Sequence, residues 1–85
     1  MQAFGRPDPF PVQEGFQIEV EGGHPPYRYD PAPAPPNPPG VEVTPEGRVS
    51  VPLETPPGTL ILVLVADSSM PPQHATARAR VAGGK

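Results

Sequence analysis

Seventeen prolines are spread so densely through this chain of 85 residues that, between Gln2 and Gln73, only residues 12–24 and 58–70 run twelve or more positions without one. Proline removes a backbone donor and its ring clashes with the preceding helical turn, so a helical protein is excluded at once. Both proline-free stretches read as strands. Proline and glycine together are 26 of the 85 residues, close to the fraction at which an unpatterned chain stays unfolded. The choice is therefore between a proline-punctuated all-β domain and a mostly unfolded segment, and the hydrophobic pattern decides it.

Phe16-Gln17-Ile18-Glu19-Val20-Glu21 alternates apolar and polar side chains without a break. That is a half-buried strand with Phe16, Ile18 and Val20 facing in. Gly22-Gly23 ends it, and Tyr27-Arg28-Tyr29 starts another. Val41-Glu42-Val43 and Arg48-Val49-Ser50-Val51 are short strands around a turn, where Pro45 suits the first central position and Gly47 supplies a positive φ. Leu60 to Ala66 is apolar at every position, which marks a strand covered on both faces. Register set from Asp67 points Ile61, Val63 and Val65 inward and Leu60, Leu62 and Leu64 outward. Ala75 to Val81 alternates small inward residues with outward Arg78 and Arg80. Six or seven short strands separated by turn clusters predict an all-β antiparallel sandwich. Its expected core is Phe16, Ile18, Val20, Val49, Val51, Ile61, Val63, Val65 and Val81.

Three segments follow. Residues 1–14 read as an extended proline-rich arm, because Pro7, Pro9 and Pro11 lack the donors a sheet interior needs. Residues 15–82 are the sandwich, and 83–85 a tail. Pro31 to Pro39 reads as a stiff loop without ladder pairing, and its Pro33-Ala34-Pro35-Pro36 segment has the P-x-x-P spacing that docks on aromatic grooves.

A family resemblance begins at Gly22-Gly23-His24-Pro25-Pro26-Tyr27. It continues through Pro38-Pro39-Gly40-Val41-Glu42-Val43, Glu46-Gly47-Arg48-Val49-Ser50, Pro57-Gly58-Thr59 and Ala66-Asp67-Ser68. In this order, from about Gly15 to Val81, the chain resembles the immunoglobulin-like (cadherin-like) domains repeated in bacterial surface proteins. The resemblance implies an immunoglobulin-like β-sandwich and says little about ligand. The chain departs from the family in three ways. The late strand is aliphatic on both faces, the Pro31–Pro39 segment is richer in proline, and no internal repeat is present.

Several functions are argued against. No cysteine exists to build a disulfide, a thiolate metal site or a nucleophile. A net charge of −3 argues against a nucleic-acid partner. Leu60–Ala66 is too short to span a bilayer, and residues 1–6 hold no apolar stretch of a signal peptide. His24, His74 and Asp67 fall in loops expected at one end of a sandwich, where two imidazoles and a carboxylate would suit a divalent metal. The simpler reading has Asp67 capping its own turn and the histidines on the surface. Glu14, Glu19, Glu21, Glu42, Glu46 and Glu54 lack the concave pocket that paired-carboxylate catalysis requires, and Glu19 and Glu21 would at most pair with Arg78 and Arg80. Ser50, Ser68 and Ser69 have no basic partner placed by any motif. No enzyme activity and no cofactor are expected.

The expectation is a structural attachment protein that docks onto or decorates a larger assembly through a protein partner. The Met1 start and the single unrepeated domain lean toward a bacteriophage virion, as a head decoration or tail accessory protein, with self-association on the assembly a further expectation. The alternative is one module of a multidomain adhesin on the bacterial cell surface. A third reading, a carbohydrate- or peptide-binding accessory module, would use Tyr27 and Tyr29. Phe4 and Phe10 are the expected anchors of the arm, and Leu60, Leu62 and Leu64 the expected partner-binding stripe.

Overall fold

The alternating segments form the strands expected of them, and a further strand stands ahead of them. The computed structural model describes residues 1–32 and 37–82. The strands are β1 (Gln2–Arg6), β2 (Phe16–Glu21), β3 (Arg28–Pro31), β4 (Glu42–Val43), β5 (Arg48–Ser50), β6 (Leu60–Ala66) and β7 (His74–Arg80). They build two antiparallel sheets, β1-β2-β5-β4 and β3-β6-β7, so the protein is an all-β sandwich. Among the described residues no helix is long and apolar enough to cross a membrane. The P-x-x-P segment and the 83–85 tail lie outside the described residues.

Phe16, Ile18, Val49, Val51, Ile61, Val63, Val65 and Val81 are buried between the sheets, as the alternation predicts, and Val20 is only partly buried. Ala77 and Ala79 complete the β7 contribution. The β4–β5 turn is built as its residues suggest. The N–H of Gly47 donates to Thr44 O at 2.9 Å and that of Thr44 to Arg48 O at 2.9 Å, with Gly47 at φ 88°, the left-handed position of a three-residue hairpin loop.

The main correction is at the N-terminus. Residues 1–14 are not an arm apart from the sandwich. Gln2–Arg6 pairs antiparallel with β2 along its full length, from Gln2 opposite Glu21 to Arg6 opposite Gln17. The strand stops before Pro7, so its donors are intact and the prolines cost it nothing. The chain then crosses to the other sheet. Phe10 forms a parallel bridge to Val81, donating to Arg80 O at 2.9 Å and accepting from Ala82 at 2.8 Å. Its ring, 0% exposed, lies 4.8 Å from that of Phe16 between centroids. Phe10 is thus a core residue and not a free anchor.

This crossing brings β1 alongside the edge of β7. A Cβ on Gly5 would sit 2.8 Å from both the Phe16 ring and the Arg78 carbonyl, so only glycine permits the approach. Asp8 continues the seal by accepting the Arg80 N–H at 3.0 Å through Oδ1.

Asn37 closes a different gap. β3 ends at Pro31, which pairs with Val63 as an edge-strand proline can. That pairing also corrects the expectation that Pro31 lies in an unpaired loop. Beyond it, Leu62 O accepts the Ala32 N–H at 3.1 Å, and a side chain completes the rung: Asn37 Nδ2 donates to Leu62 O and Oδ1 accepts Leu62 N–H, both at 2.8 Å. Asn37 is 3% exposed, so its carboxamide acts as a buried substitute for a peptide group.

Candidate functional site: a groove beside the β7 edge

Three of the five residues singled out for partner binding converge. On β6, Ile61, Val63 and Val65 point into the core, leaving Leu60, Leu62 and Leu64 on the outer face. Their cross-strand neighbours on β7 are Arg80, Arg78 and Thr76 respectively. Leu60 and Leu62 are half-buried and Leu64 is 47% exposed, so the stripe is not uniformly open. Because β1 stands beside β7, Phe4 forms a wall there. A groove of about 500 Å³ runs between Phe4 and Leu62 over Thr76 and Arg78, with Asp8 at one end. It adjoins a second depression of about 260 Å³, lined by Asp8, Leu60, Arg78 and Arg80.

Phe4, Leu60 and Leu62 therefore line one composite groove. Phe10 is in the core, and Leu64 lies on the same face outside the groove lining. Arg78, Arg80 and Asp8 were missed as site residues. The alternation in Ala75–Val81 does put both arginines on the outer face with Leu60 and Leu62, so the signal was present. Asp8 carried none, since its place depends on the chain crossing between sheets. Glu19 pairs not with the β7 arginines but with Arg6, at 2.8 Å on the exposed face of the first sheet, where such a bond contributes about 0–1 kcal/mol. Arg6 also stands over the Phe4 ring, 5.7 Å from its centroid.

The second candidate, Asp67 with His24 and His74, is a structural cage. Asp67 Oδ1 accepts from the backbone of Ser69 (3.1 Å) and Gln73 (2.7 Å), and Oδ2 from the backbone of His24 (2.9 Å) and the Ser69 hydroxyl (2.6 Å). Four donors occupy the carboxylate's acceptor positions and tie the β2–β3 loop to the β6–β7 loop. His24 contributes its main chain, and the side chains of His24 and His74 are exposed. Among the described residues no three His, Cys, Asp or Glu side chains group as metal ligands would. The six glutamates considered for catalysis are all exposed.

Burial alone would raise the Asp67 pKa, but the hydrogen bonds from the Ser69 hydroxyl and from the main chain of Gln73, His24 and Ser69 outweigh it and hold the carboxyl well below its usual range. A depressed folded-state pKa contributes stability above the unfolded value, and that contribution is lost as pH falls. The melting temperature is expected to drop progressively below about pH 4. Asp67→Asn should melt on the order of 10 °C lower at pH 7 and lose most of that acid dependence. Thermal scans of both proteins between pH 7 and pH 2 check this, and parallel acid profiles would show that other carboxylates set the response.

Tyr27 and Tyr29 are partly buried against the core. The Tyr27 hydroxyl donates to Gly22 O at 2.9 Å. The Tyr29 pKa is raised, by burial first and then by Tyr27.

Comparison with protein-family models, with curated proteins and with solved structures gave no match to this chain.

Proposed function

We propose that the protein is a non-catalytic attachment protein that docks onto a larger assembly through the groove beside β7. The observation that carries this reading is the convergence of Phe4, Leu60 and Leu62 around Arg78 and Arg80. Apolar side chains with guanidinium groups at their margin suit a protein contact. Covering one such apolar side chain contributes about 1.5–3 kcal/mol, enough for a weak single contact. A site repeated across a large surface makes weak contacts persist. The setting proposed first is a bacteriophage virion, as a head decoration or tail accessory protein.

One observation favours a second setting, a module within a multidomain surface adhesin. Met1 lies beside Gln73, just ahead of β7, and Ala82 lies just past its other end, bonded to Phe10. Residues 1 and 82 at opposite ends of a strand suit end-to-end concatenation.

Fractionating cultures that express the gene tests both. The protein is expected with purified particles, and the Phe4→Ala/Leu62→Ser double variant, folded by its NMR spectrum, in the soluble fraction. Recovery of the unaltered protein with cell envelopes selects the adhesin setting. Recovery of the unaltered protein in the soluble fraction, or of the double variant still bound, sinks attachment through this groove.

A further inference from the structure

The chain carries a net charge of −3, yet two arginines and one aspartate line the groove. Asp8 is already engaged by the Arg80 N–H. Among the described residues, the Arg78 guanidinium has no hydrogen-bond or ion-pair partner, and that of Arg80 reaches only the Gly58 carbonyl, at 3.4 Å. Two cationic groups thus stand over an aliphatic floor with no salt bridge of their own among the described residues, and Asp8, which keeps its charge while accepting a neutral N–H, offsets one of them at most.

Their spacing is informative. Arg78 and Arg80 alternate on one strand, which separates them by about 7 Å along β7. An extended peptide repeats its side chains on one face at the same distance. Resting on the attachment reading above, we infer that the groove takes an extended acidic segment of a protein partner, with glutamates at alternate positions. Laid along β7 over Thr76 to Arg80, such a segment covers about four to five residues. Each glutamate sets its carboxylate against one guanidinium, in a charge-assisted contact, and rests its methylene groups on Leu62 or Leu60. The residues between point away and are unconstrained. A nucleic acid fits less well: the floor is aliphatic where unpaired bases need stacking rings.

NMR titration of the isotope-labelled protein tests the spacing. The probes are the blocked peptides Ser-Glu-Ser-Glu-Ser, its isomer Ser-Ser-Glu-Glu-Ser, Ser-Lys-Ser-Lys-Ser, and inorganic phosphate. The alternating glutamate peptide is expected to shift the Arg78 and Arg80 side-chain signals and the Leu60 and Leu62 methyls, binding at least about fivefold tighter than its isomer. The lysine peptide should shift none of these. Arg78→Gln/Arg80→Gln, both surface changes, should preserve the spectrum and abolish the response. Equal binding of the two isomers overturns the inference. So does phosphate shifting the same signals at equal concentration, or silence at about 10 mM peptide. Those failures leave the attachment reading standing if the Phe4→Ala/Leu62→Ser variant still detaches. Persistent attachment of that variant removes the attachment reading whatever the titration shows.

Discussion

Val63→Asp will leave no folded protein at 25 °C. Val63 is completely buried at the middle of β6, the central strand of its sheet, with Pro31 and Ala77 as its neighbours across the ladders. An aspartate there enters the cluster of buried apolar side chains, where no cation is buried among the described residues. Burying it costs several kcal/mol, as a charge or as a protonated acid with no hydrogen-bond partner. A domain this small has a total stability of about 5 kcal/mol. Leu64→Asp is the control, because Leu64 faces outward, and it should keep a β-type far-UV spectrum and a cooperative urea transition. A cooperative transition for Val63→Asp would mean that the strand register differs from the one described.

Removing residues 1–11 should be nearly as damaging, the reverse of what an independent arm would give. The deletion strips β1 from β2 and takes out the Phe10 ring that packs on Phe16. Phe10→Ala alone is expected to cost about 3–5 kcal/mol, since Phe→Ala in a core leaves a cavity as well as losing burial. The ring pair adds about 0.5–1.5 kcal/mol beyond area. Phe4→Ala is the contrast: Phe4 lines the groove and is not part of the core cluster, and its loss should shift the urea midpoint little. A truncated protein with the dispersed amide spectrum of the full chain would show that the sandwich needs neither β1 nor Phe10.

These two experiments mark where the sequence could be read and where it could not. β2 has the bounds its alternation predicts, because large apolar and charged side chains take turns at every position. The inward faces of β6 and β7 were equally legible from Ile61, Val63 and Val65 and from the alanines opposite. β1 escaped because its inward residues are Ala3 and Gly5. Gly5 is small for a tertiary reason, the nearness of the Phe16 ring and the Arg78 carbonyl, and two small residues leave no apolar period to detect. Phe10 escaped because its partner is Val81, across nearly the whole chain, while three flanking prolines argued locally for an open strap. Asn37 had no signal at all: one amide among prolines gives no hint that it will complete a ladder. The groove was half legible. Leu60 and Leu62 could be placed on the outer face together with Arg78 and Arg80, but the wall that turns that face into a groove comes from β1.

The way the sandwich finishes its edges bears on how many copies can share a surface. A strand edge with free donors and acceptors invites the same edge of a neighbour, and chains joined that way polymerise. Here β1 and Asp8 occupy the Arg78–Arg80 stretch of the β7 edge, Asn37 fills the rung beyond β3, β3 carries Pro31, and β4 has only two residues. Each of these features shortens the run of free donors and acceptors that another molecule could extend. Molecules crowded side by side are therefore expected to meet more through side chains than by extending a shared sheet.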